Sequence, residues 1–256
     1  MSSFLISYQI IYLYPMLKQI FISQILFLSL FCNNTTAQTY TKNRYGLEII
    51  DDIKSYQLLI EKDSTQELVP LQQYIKNLKV DFVYATNKNF THRVLYKNPK
   101  AYLRLPVAKA LQQVAASLKE RGLGLLIFDA YRPYSITEKM WQVVPDARYA
   151  ANPKHGSGHN RGIAVDISLY YLSSGKPLTM PTAFDNFTNK AHQDYMELSK
   201  KIIDNRNLLK HIMKQYGFAP LSTEWWHFSF PNPTEKYKIL NLNFDELNTF
   251  VKENKN

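Results

Sequence analysis

Cysteine is almost absent from this sequence, with Cys32 as the single example among 256 residues. One thiol cannot close an internal disulfide, and a mature protein without this residue would also have no cysteine nucleophile and no thiolate metal ligand. Clusters of Lys and Arg joined to a nucleic-acid-binding motif are absent as well. We therefore expect neither DNA nor RNA as a partner.

The composition is that of a folded, basic protein. Apolar residues make up 45% of the sequence and aromatic residues 14%, which is enough for a sizeable core. The formal net charge is +10. Such a charge favours anionic membranes or cell-wall polymers as neighbours, and it is equally typical of a solvated, Lys-rich surface.

The N-terminal segment differs in character from the rest. After Met16, which is an alternative start, Lys18 precedes an apolar run from Ile20 to Phe31, and small residues end at Ala37. This order is typical of a secretory signal peptide, and the run is too short to span a bilayer comfortably. We predict a signal peptide over residues 1–37, with cleavage after Ala37.

Cleavage there would leave one exported domain, residues 38–256, in the periplasm or outside the cell. The alternatives are an uncleaved N-terminal anchor and a lipoprotein attached through Cys32. A bulky residue, Phe31, precedes Cys32 where a lipobox has a small one, which disfavours lipidation. After cleavage we expect no stable membrane span.

The mature sequence predicts a single α+β domain. Helical spacing of apolar residues predicts a helix over Val107–Lys119, and shorter apolar runs predict strands. The other predicted elements are strands at 80–86, Leu125–Phe128 and Trp225–Phe230 (the last core strand), a short helix capped by Ser135 with Glu138, and a helix over Ala191–Tyr216 that ends at Gly217.

A glycine-rich loop leads into a predicted strand at Ser157–Asp166 (SGHNRGIAVD). Three of the eight glycines of the chain lie between residues 156 and 162, which lets the backbone turn sharply and approach a ligand. His159 would lie on the loop and Asp166 on the strand. Imidazole and carboxylate are both suitable zinc ligands.

The second candidate segment is Ser222–Phe230 (STEWWHFSF), in which Glu224 and His227 occur among aromatic residues. Alternation of side chains would place His227 on one face with Trp225 and Ser229, and a buried histidine needs a partner, which a metal would supply. Glu224, three residues earlier, would fall on the opposite face, so we predict that it lies on the entering loop and leans over the metal.

Arg132 follows the predicted strand in Phe128–Tyr134 (FDAYRPY). A guanidinium fixed at a strand exit can stabilise an oxyanion or clamp a carboxylate. Each candidate also has a structural interpretation: Arg132 as an ion pair with Asp129, His159 as a loop residue, Asp166 as a hydrogen-bond acceptor. The five residues together nevertheless supply all parts of a hydrolytic zinc site, namely three ligands, a base and a positive charge.

The other histidines are weaker candidates. His155 and His159 have the spacing of a helical metal pair, but the glycines around them argue against a helix, so we interpret His155 as a loop residue. His192 and His211 fall within the predicted long helix. The helical zinc-protease motif H-E-x-x-H does not occur.

The two metal motifs together resemble the zinc D,D-peptidases, and within that group the VanX-type D-Ala-D-Ala dipeptidases of peptidase family M15. The patterns are S-x-H-x-x-G-x-A-x-D at Ser157–Asp166 and E-x-W-H at Glu224–His227. Tyr84–Thr91, Ala101–Arg104 and Asp129–Pro133 are similar to the dipeptidase branch. The likeness covers roughly residues 45–235. His92 stands where a small residue, often glycine, is expected.

The resemblance implies a compact Hedgehog/DD-peptidase-like domain with a central antiparallel sheet flanked by helices. It also implies one Zn²⁺ per chain, bound by His159, Asp166 and His227. Glu224 would be the catalytic base, while Arg132 would stabilise the tetrahedral intermediate and, with Ser157, bind substrate.

The implied reaction is hydrolysis of the small dipeptide D-Ala-D-Ala to two D-alanines. The alternatives are a D,D-carboxypeptidase acting on peptidoglycan stem peptides and a non-catalytic zinc-dependent binding module of the same fold. An intact Glu224 and Arg132 argue against the binding module, because binding alone needs neither. The sequence makes no prediction of oligomeric state.

Overall fold

The computed structural model describes residues 41–254, and these residues belong to one unit. The predicted signal peptide, residues 1–37, with the alternative start Met16 and with Cys32, lies outside the described residues. Between residues 41 and 254, no helix has the length and apolar character needed to cross a membrane.

The described residues form helices and short strands that alternate along the chain. The helices are α1 (Ile53–Lys62), α2 (Leu105–Lys119), α3 (Tyr134–Val143), α4 (Lys200–Gln215) and α5 (Phe244–Glu253). The strands are β1 (Thr41–Lys42), β2 (Glu48–Ile50), β3 (Leu68–Pro70), β4 (Lys79–Val80), β5 (Tyr102–Arg104), β6 (Leu123–Asp129), β7 (Ala164–Tyr171), β8 (Ala219–Leu221), β9 (Glu224–Ser229) and β10 (Ile239–Leu240).

The main sheet has five strands in the order β4-β6-β7-β9-β8. Its neighbouring strands run antiparallel, except that β4 pairs in parallel with β6. Two small sheets, β1-β2-β10 and β3-β5, complete the described strands. The predicted α+β fold with a central antiparallel sheet and flanking helices is therefore confirmed, with one short parallel edge strand as the exception.

Helix α2 lies where the apolar spacing predicts it. Its residues Val107, Leu111, Val114 and Leu118 are all buried and pack in one cluster with the core of the main sheet. Pro106 lies in its first turn, where the missing N–H has no helical partner to lose. The strand predicted at Leu125–Phe128 is the middle of β6, whose residues are buried apart from one.

The strand predicted at residues 80–86 is wrong for most of its length. Only Val80 belongs to a strand, β4, and Val83–Ala85 forms a 3₁₀ turn. The carbonyl oxygens of this segment find local partners instead of a neighbouring strand. The Asn89 side-chain amide donates to Thr86 O at 2.7 Å, and the backbone N–H groups of Leu95 and Tyr96 donate to Tyr84 O, so local bonds take the place of a strand ladder.

The predicted start of the long helix is also wrong, although its end is confirmed. Helix α4 begins at Lys200, not at Ala191, and ends before Gly217, whose φ of 88° suits a helix C-terminus. The guanidinium of Arg206 donates to His192 O at 3.0 Å and to Tyr195 O at 2.6 Å. These bonds hold the preceding segment as a loop.

Ser135 does not cap the short helix after the arginine segment. Helix α3 begins one residue earlier, at Tyr134, and has no side-chain cap. The Ser135 N–H donates instead to Asn241 Oδ1 at 2.8 Å, so a distant amide satisfies this helix end. The predicted partner Glu138 pairs with Arg44 at 2.9 Å.

A buried guanidinium ties the small sheets to the glycine-rich loop. Arg104, at the end of β5, is fully buried and donates to the carbonyl oxygens of Arg161 and Lys238, at 2.8 and 2.9 Å, and to that of Gln66. Its backbone N–H donates to Gly162 O at 2.9 Å. Burial lowers the pKa of Arg104 to about 10, and the carbonyl dipoles solvate a charge that no carboxylate among the described residues pairs closely.

Candidate active site

Strands β7 and β9 bring two of the predicted ligands face to face. They pair antiparallel with Asp166 opposite His227. His159 comes from a single 3₁₀ turn, His159–Arg161, which ends at Gly162 with a φ of 67°. Because Gly162 admits this left-handed backbone, the loop folds back and His159 meets Asp166 at the start of β7.

The donor atoms of the three residues have the spacing of a small metal site. His159 Nε2 lies 3.2 Å from His227 Nδ1 and 3.3 Å from Asp166 Oδ2. His227 Nδ1 lies 2.9 Å from Asp166 Oδ1. Ligands of a tetrahedral zinc ion, each about 2.0–2.1 Å from the metal, lie about 3.3 Å apart. The residues present therefore fit a zinc ion in both chemistry and separation.

The charges in this cluster favour a cation. Burial opposes ionisation of Asp166, but the neighbouring His159 and His227 lower its pKa well below the usual range. His159 Nδ1 lies 2.7 Å from Ala130 O. A proton on Nδ1 makes that hydrogen bond, which leaves Nε2 as a free lone pair directed at the cluster.

Glu224 lies beside the cluster, but not on the predicted loop. It is the first residue of β9, and an irregularity in the pairing of β8 with β9 between Pro220 and Leu221 breaks the simple alternation that argued against this placement. Its Oε2 lies 4.0 Å from His227 Nδ1. Burial raises the pKa of Glu224 to about 7, in the range that suits a general base near neutrality.

Strand β9 also corrects the predicted strand at Trp225–Phe230 in two details. It spans Glu224–Ser229, and β10 follows it with two buried residues, so it is not the last core strand. His227 and Ser229 do share a face, with Nε2 and Oγ 3.0 Å apart.

Arg132 is both paired and directed towards the cluster. Its Nη2 lies 2.7 Å from Asp129 Oδ2 and 3.9 Å from Asp166 Oδ2. Burial alone would lower the pKa of Arg132, but Asp129 and the other nearby acids raise it above its ordinary value. The structural ion pair and the functional position thus coexist, because Asp129 fixes the guanidinium at the wall of the cluster.

Ser157 is linked to the arginine segment through Asn160. The Asn160 N–H donates to Ser157 Oγ at 3.2 Å, and the Asn160 side chain accepts from Ser157 N at 2.9 Å. The same fully buried side chain donates to Arg132 O and to Thr137 Oγ1, at 2.9 and 2.8 Å. Because Ser157 Oγ is an acceptor here, its own proton remains available for a ligand.

All six predicted site residues line one cavity of about 400 Å³. They are Arg132, Ser157, His159, Asp166, Glu224 and His227. The volume falls within the range of small-molecule sites.

Asp185 is a wall residue of this cavity that the sequence analysis did not identify. Its Oδ1 accepts from the Tyr84 hydroxyl at 3.0 Å, whereas its buried Oδ2 has no hydrogen-bond partner among residues 41–254. Burial raises the pKa of Asp185 to about 8. The sequence around it, with a phenylalanine on each side, gives no sign of a functional acid. Only the fold shows that Asp185 lines the cavity.

The remaining histidines lie outside the cavity wall. His155 is exposed in a turn, as predicted, and His211 is exposed on α4. His192 precedes α4, so its predicted helical position is wrong. His92 is exposed with a φ of 54°, a left-handed backbone that explains why glycine would suit this position.

A family model described as D-Ala-D-Ala dipeptidase, peptidase M15, matches residues 64–246, which is most of the chain. The chain belongs to the peptidase M15 family. It is 34% identical over 187 residues to the D-alanyl-D-alanine dipeptidase of Escherichia coli K12, covering 73% of this chain and 94% of that one. The D-alanyl-D-alanine dipeptidase of Enterococcus faecalis V583 is 28% identical over 194 residues, covering 68% and 95%.

Likeness to solved peptidase structures is weaker. The LD-carboxypeptidase LdcB has a TM-score of 0.39 and 17% identity, covering 86% of this chain and 92% of that one. The D,D-dipeptidase VanXYg, solved with a D-Ala-D-Ala phosphinate analogue, has a TM-score of 0.34 and 18% identity, covering 68% and 69%. Membership of the M15 family therefore depends on the sequence matches.

The raised pKa of Asp185 predicts a pH-dependent stability for the metal-free M15 domain. The folded protein keeps a proton on Asp185 up to about pH 8, whereas the unfolded chain releases it near pH 4. Stability is therefore lost as pH rises between these values. Asp185→Asn removes that loss, and asparagine tolerates the φ of 58° at this position.

We expect the melting temperature of Asp185→Asn minus that of the wild type to grow from pH 4 to pH 8 in the presence of a chelator. Glu224 titrates in both proteins, so its contribution drops out of the difference apart from its interaction with Asp185. Asp51→Asn, at an exposed position, is the matched control and should show no such trend. A difference for Asp185→Asn that does not change with pH would contradict the assignment.

Proposed function

We propose that this chain is a zinc-dependent dipeptidase that hydrolyses D-Ala-D-Ala to two molecules of D-alanine, with one zinc ion per chain. The observation that carries the proposal is the content of one cavity: a His-Asp-His cluster whose donor spacing fits zinc, the Glu224 carboxyl of raised pKa beside it, and a second buried carboxyl, Asp185, with an unpartnered oxygen. The names of the M15 relatives support the substrate.

His159, Asp166 and His227 would hold the metal. A bound zinc ion supplies Lewis acidity, which lowers the pKa of water towards about 7 and polarises a carbonyl. Glu224, 4.0 Å from His227 Nδ1, takes one proton from the attacking water. It then delivers that proton to the nitrogen of the breaking C–N bond, so that one water is consumed and two amino acids leave.

Arg132 stabilises the negative charge that develops on the peptide oxygen. Its pairing with Asp129 at 2.7 Å keeps the guanidinium in place before the substrate arrives, so little reorganisation is needed as the charge forms. Ser157, whose hydroxyl proton is available, is suited to donate to the C-terminal carboxylate of the dipeptide.

Asp185 distinguishes a dipeptidase from a carboxypeptidase. A free dipeptide carries an ammonium group at its N-terminus, whereas a stem peptide has an uncharged amide at the same position. The unpartnered Oδ2 of Asp185 lies buried at the wall of the site. An ammonium would supply the missing hydrogen bond and a positive charge that lowers the pKa of Asp185, so that the carboxyl ionises against it.

The substrate preference follows from this carboxylate. With zinc present, we expect hydrolysis of D-Ala-D-Ala and little hydrolysis of N-acetyl-D-Ala-D-Ala, L-Ala-L-Ala or a peptidoglycan stem peptide, measured as D-alanine or L-alanine released. Asp185→Asn should lower kcat/KM for the free dipeptide on the order of 10- to 100-fold, the usual range for a charged hydrogen bond. Rapid cleavage of the N-acetylated and stem peptides would instead identify a D,D-carboxypeptidase.

Substitutions of Glu224 and His227 test two different roles, proton transfer and metal binding. We expect Glu224→Gln to retain one zinc per chain by elemental analysis and to lose turnover by at least about 10²-fold, the lower range for a general base. His227→Ala should lose the zinc itself. Gln57→Ala, at an exposed position of α1, is the control. A Glu224→Gln variant as active as the wild type would leave only a binding role for the cavity.

We also propose that the chain is exported to the periplasm or the extracellular space. The support is the order of residues 1–37, which lie before the start of the family match at residue 64. Cell fractionation with N-terminal sequencing should find a mature protein that begins at Gln38. Ala37→Arg should block cleavage, because signal peptidase needs a small residue there. A cytoplasmic protein that retains residues 16–37 would contradict export.

A further inference from the structure

The two ring nitrogens of His227 face different partners. Nδ1 lies 2.9 Å from Asp166 Oδ1 and 3.2 Å from His159 Nε2, inside the metal cluster. Nε2 lies on the other side of the ring, 3.0 Å from Ser229 Oγ. If Nδ1 is to offer a lone pair to a metal, then the proton of the neutral ring must be on Nε2.

We infer that Ser229 is a positioning residue for the metal site: its hydroxyl accepts the Nε2–H of His227, which holds the ring in the tautomer and orientation that direct Nδ1 at the ion. The inference rests on the zinc site of the proposed function. Groups that hydrogen-bond to a metal-bound imidazole fix its tautomer and raise its basicity, and their loss typically costs about 10- to 100-fold in metal affinity.

The fold holds the Ser229 hydroxyl at this place from both sides. Ser229 pairs with Ala164 on β7 and with Ala219 on β8, so its backbone lies between two strands. Residues two apart on a strand share a face, which puts its Oγ beside the ring of His227. The hydroxyl therefore does not depend on a flexible loop.

Gly158 provides the space for this hydroxyl. A Cβ added at Gly158 would lie 3.2 Å from Ser229 Oγ and 2.8 Å from Ala164 Cβ. The glycine-rich loop thus passes closely over the serine, and the same loop carries His159. The contact between Gly158 and Ser229 therefore lies next to both histidine ligands, since His159 follows Gly158 and His227 bonds to Ser229.

Ser229 differs from the corresponding partner of the other imidazole. His159 Nδ1 bonds to a backbone oxygen, that of Ala130, at 2.7 Å. A substitution of Ala130 would leave that acceptor in place, whereas the acceptor for His227 is a side chain. Of these two hydrogen-bond partners, only Ser229 can be removed by a substitution. Its removal therefore tests how strongly a hydrogen bond to a histidine ligand affects the metal affinity.

Thr and Val at this position form a matched pair, because they have the same shape and only Thr keeps the hydroxyl. Both are favoured in strands. Zinc affinity is measured on the full chain by competition with a chromophoric chelator. We expect Ser229→Thr to bind zinc within a few-fold of the wild type and Ser229→Val to bind about 10- to 100-fold more weakly. Ser229→Ala should behave like the valine variant.

A second readout reports the ring directly. ¹⁵N NMR of the zinc-loaded wild type should show His227 protonated at Nε2, and the valine variant should show a mixture of tautomers or a mobile ring. Equal zinc affinity of the threonine and valine variants would overturn the inference. Melting temperatures of the metal-free variants identify any that fail to fold, and the threonine–valine difference removes effects of volume.

Failure of this inference is distinguishable from failure of the proposed function. A wild-type protein that does not bind zinc would contradict the zinc site itself. A wild type that binds zinc and cleaves D-Ala-D-Ala, together with a valine variant of unchanged zinc affinity, would contradict only the role of Ser229.

Discussion

The pairing of Asp166 with His227 across β7 and β9 is the constraint on which the whole site depends. It places a buried carboxylate and an imidazole 2.9 Å apart, and the loop that enters β7 adds a second imidazole. A slip of one residue between the two strands would turn His227 to the opposite face and dissolve the cluster. The bulky, buried neighbours Trp226 and Phe228 make such a slip costly, because it would expose them.

Within one cavity the fold gives three carboxyl groups three different environments. Asp166 stands among imidazoles, and its pKa is lowered. Glu224 and Asp185 are desolvated with fewer partners, and burial raises the pKa of each, to about 7 and about 8. In the proposed mechanism, this separation would let one acid hold a cation, one exchange a proton and one ionise against a charged end group at the same pH.

The site residues were predicted from the sequence more accurately than the bounds of the helices and strands that carry them. The metal motifs are local, because glycines and strand alternation fix their geometry within ten residues, and α2 follows from its apolar spacing. The start of α4 depends on Arg206 bonding to the loop that precedes the helix, and in place of the strand predicted at 80–86 the Asn89 side chain bonds to Thr86 O. Neither side-chain bond has a signal in local propensity. Asp185 and the position of Glu224 likewise depend on tertiary placement and on an irregular strand pair.

Arg104 links the glycine-rich loop by hydrogen bonds to segments from both ends of the domain. Its planar fork reaches Arg161 O, 57 residues ahead, and Lys238 O, 134 residues ahead. An ammonium on a flexible stem has no comparable set of diverging N–H directions. A fragment that ended before Lys238 would keep His159, Asp166 and His227. It would lose one of the carbonyl groups that hold the Arg104 guanidinium beneath the glycine-rich loop. We therefore expect tight metal binding to require the assembled domain, and a short peptide bearing the motif to bind a metal only weakly.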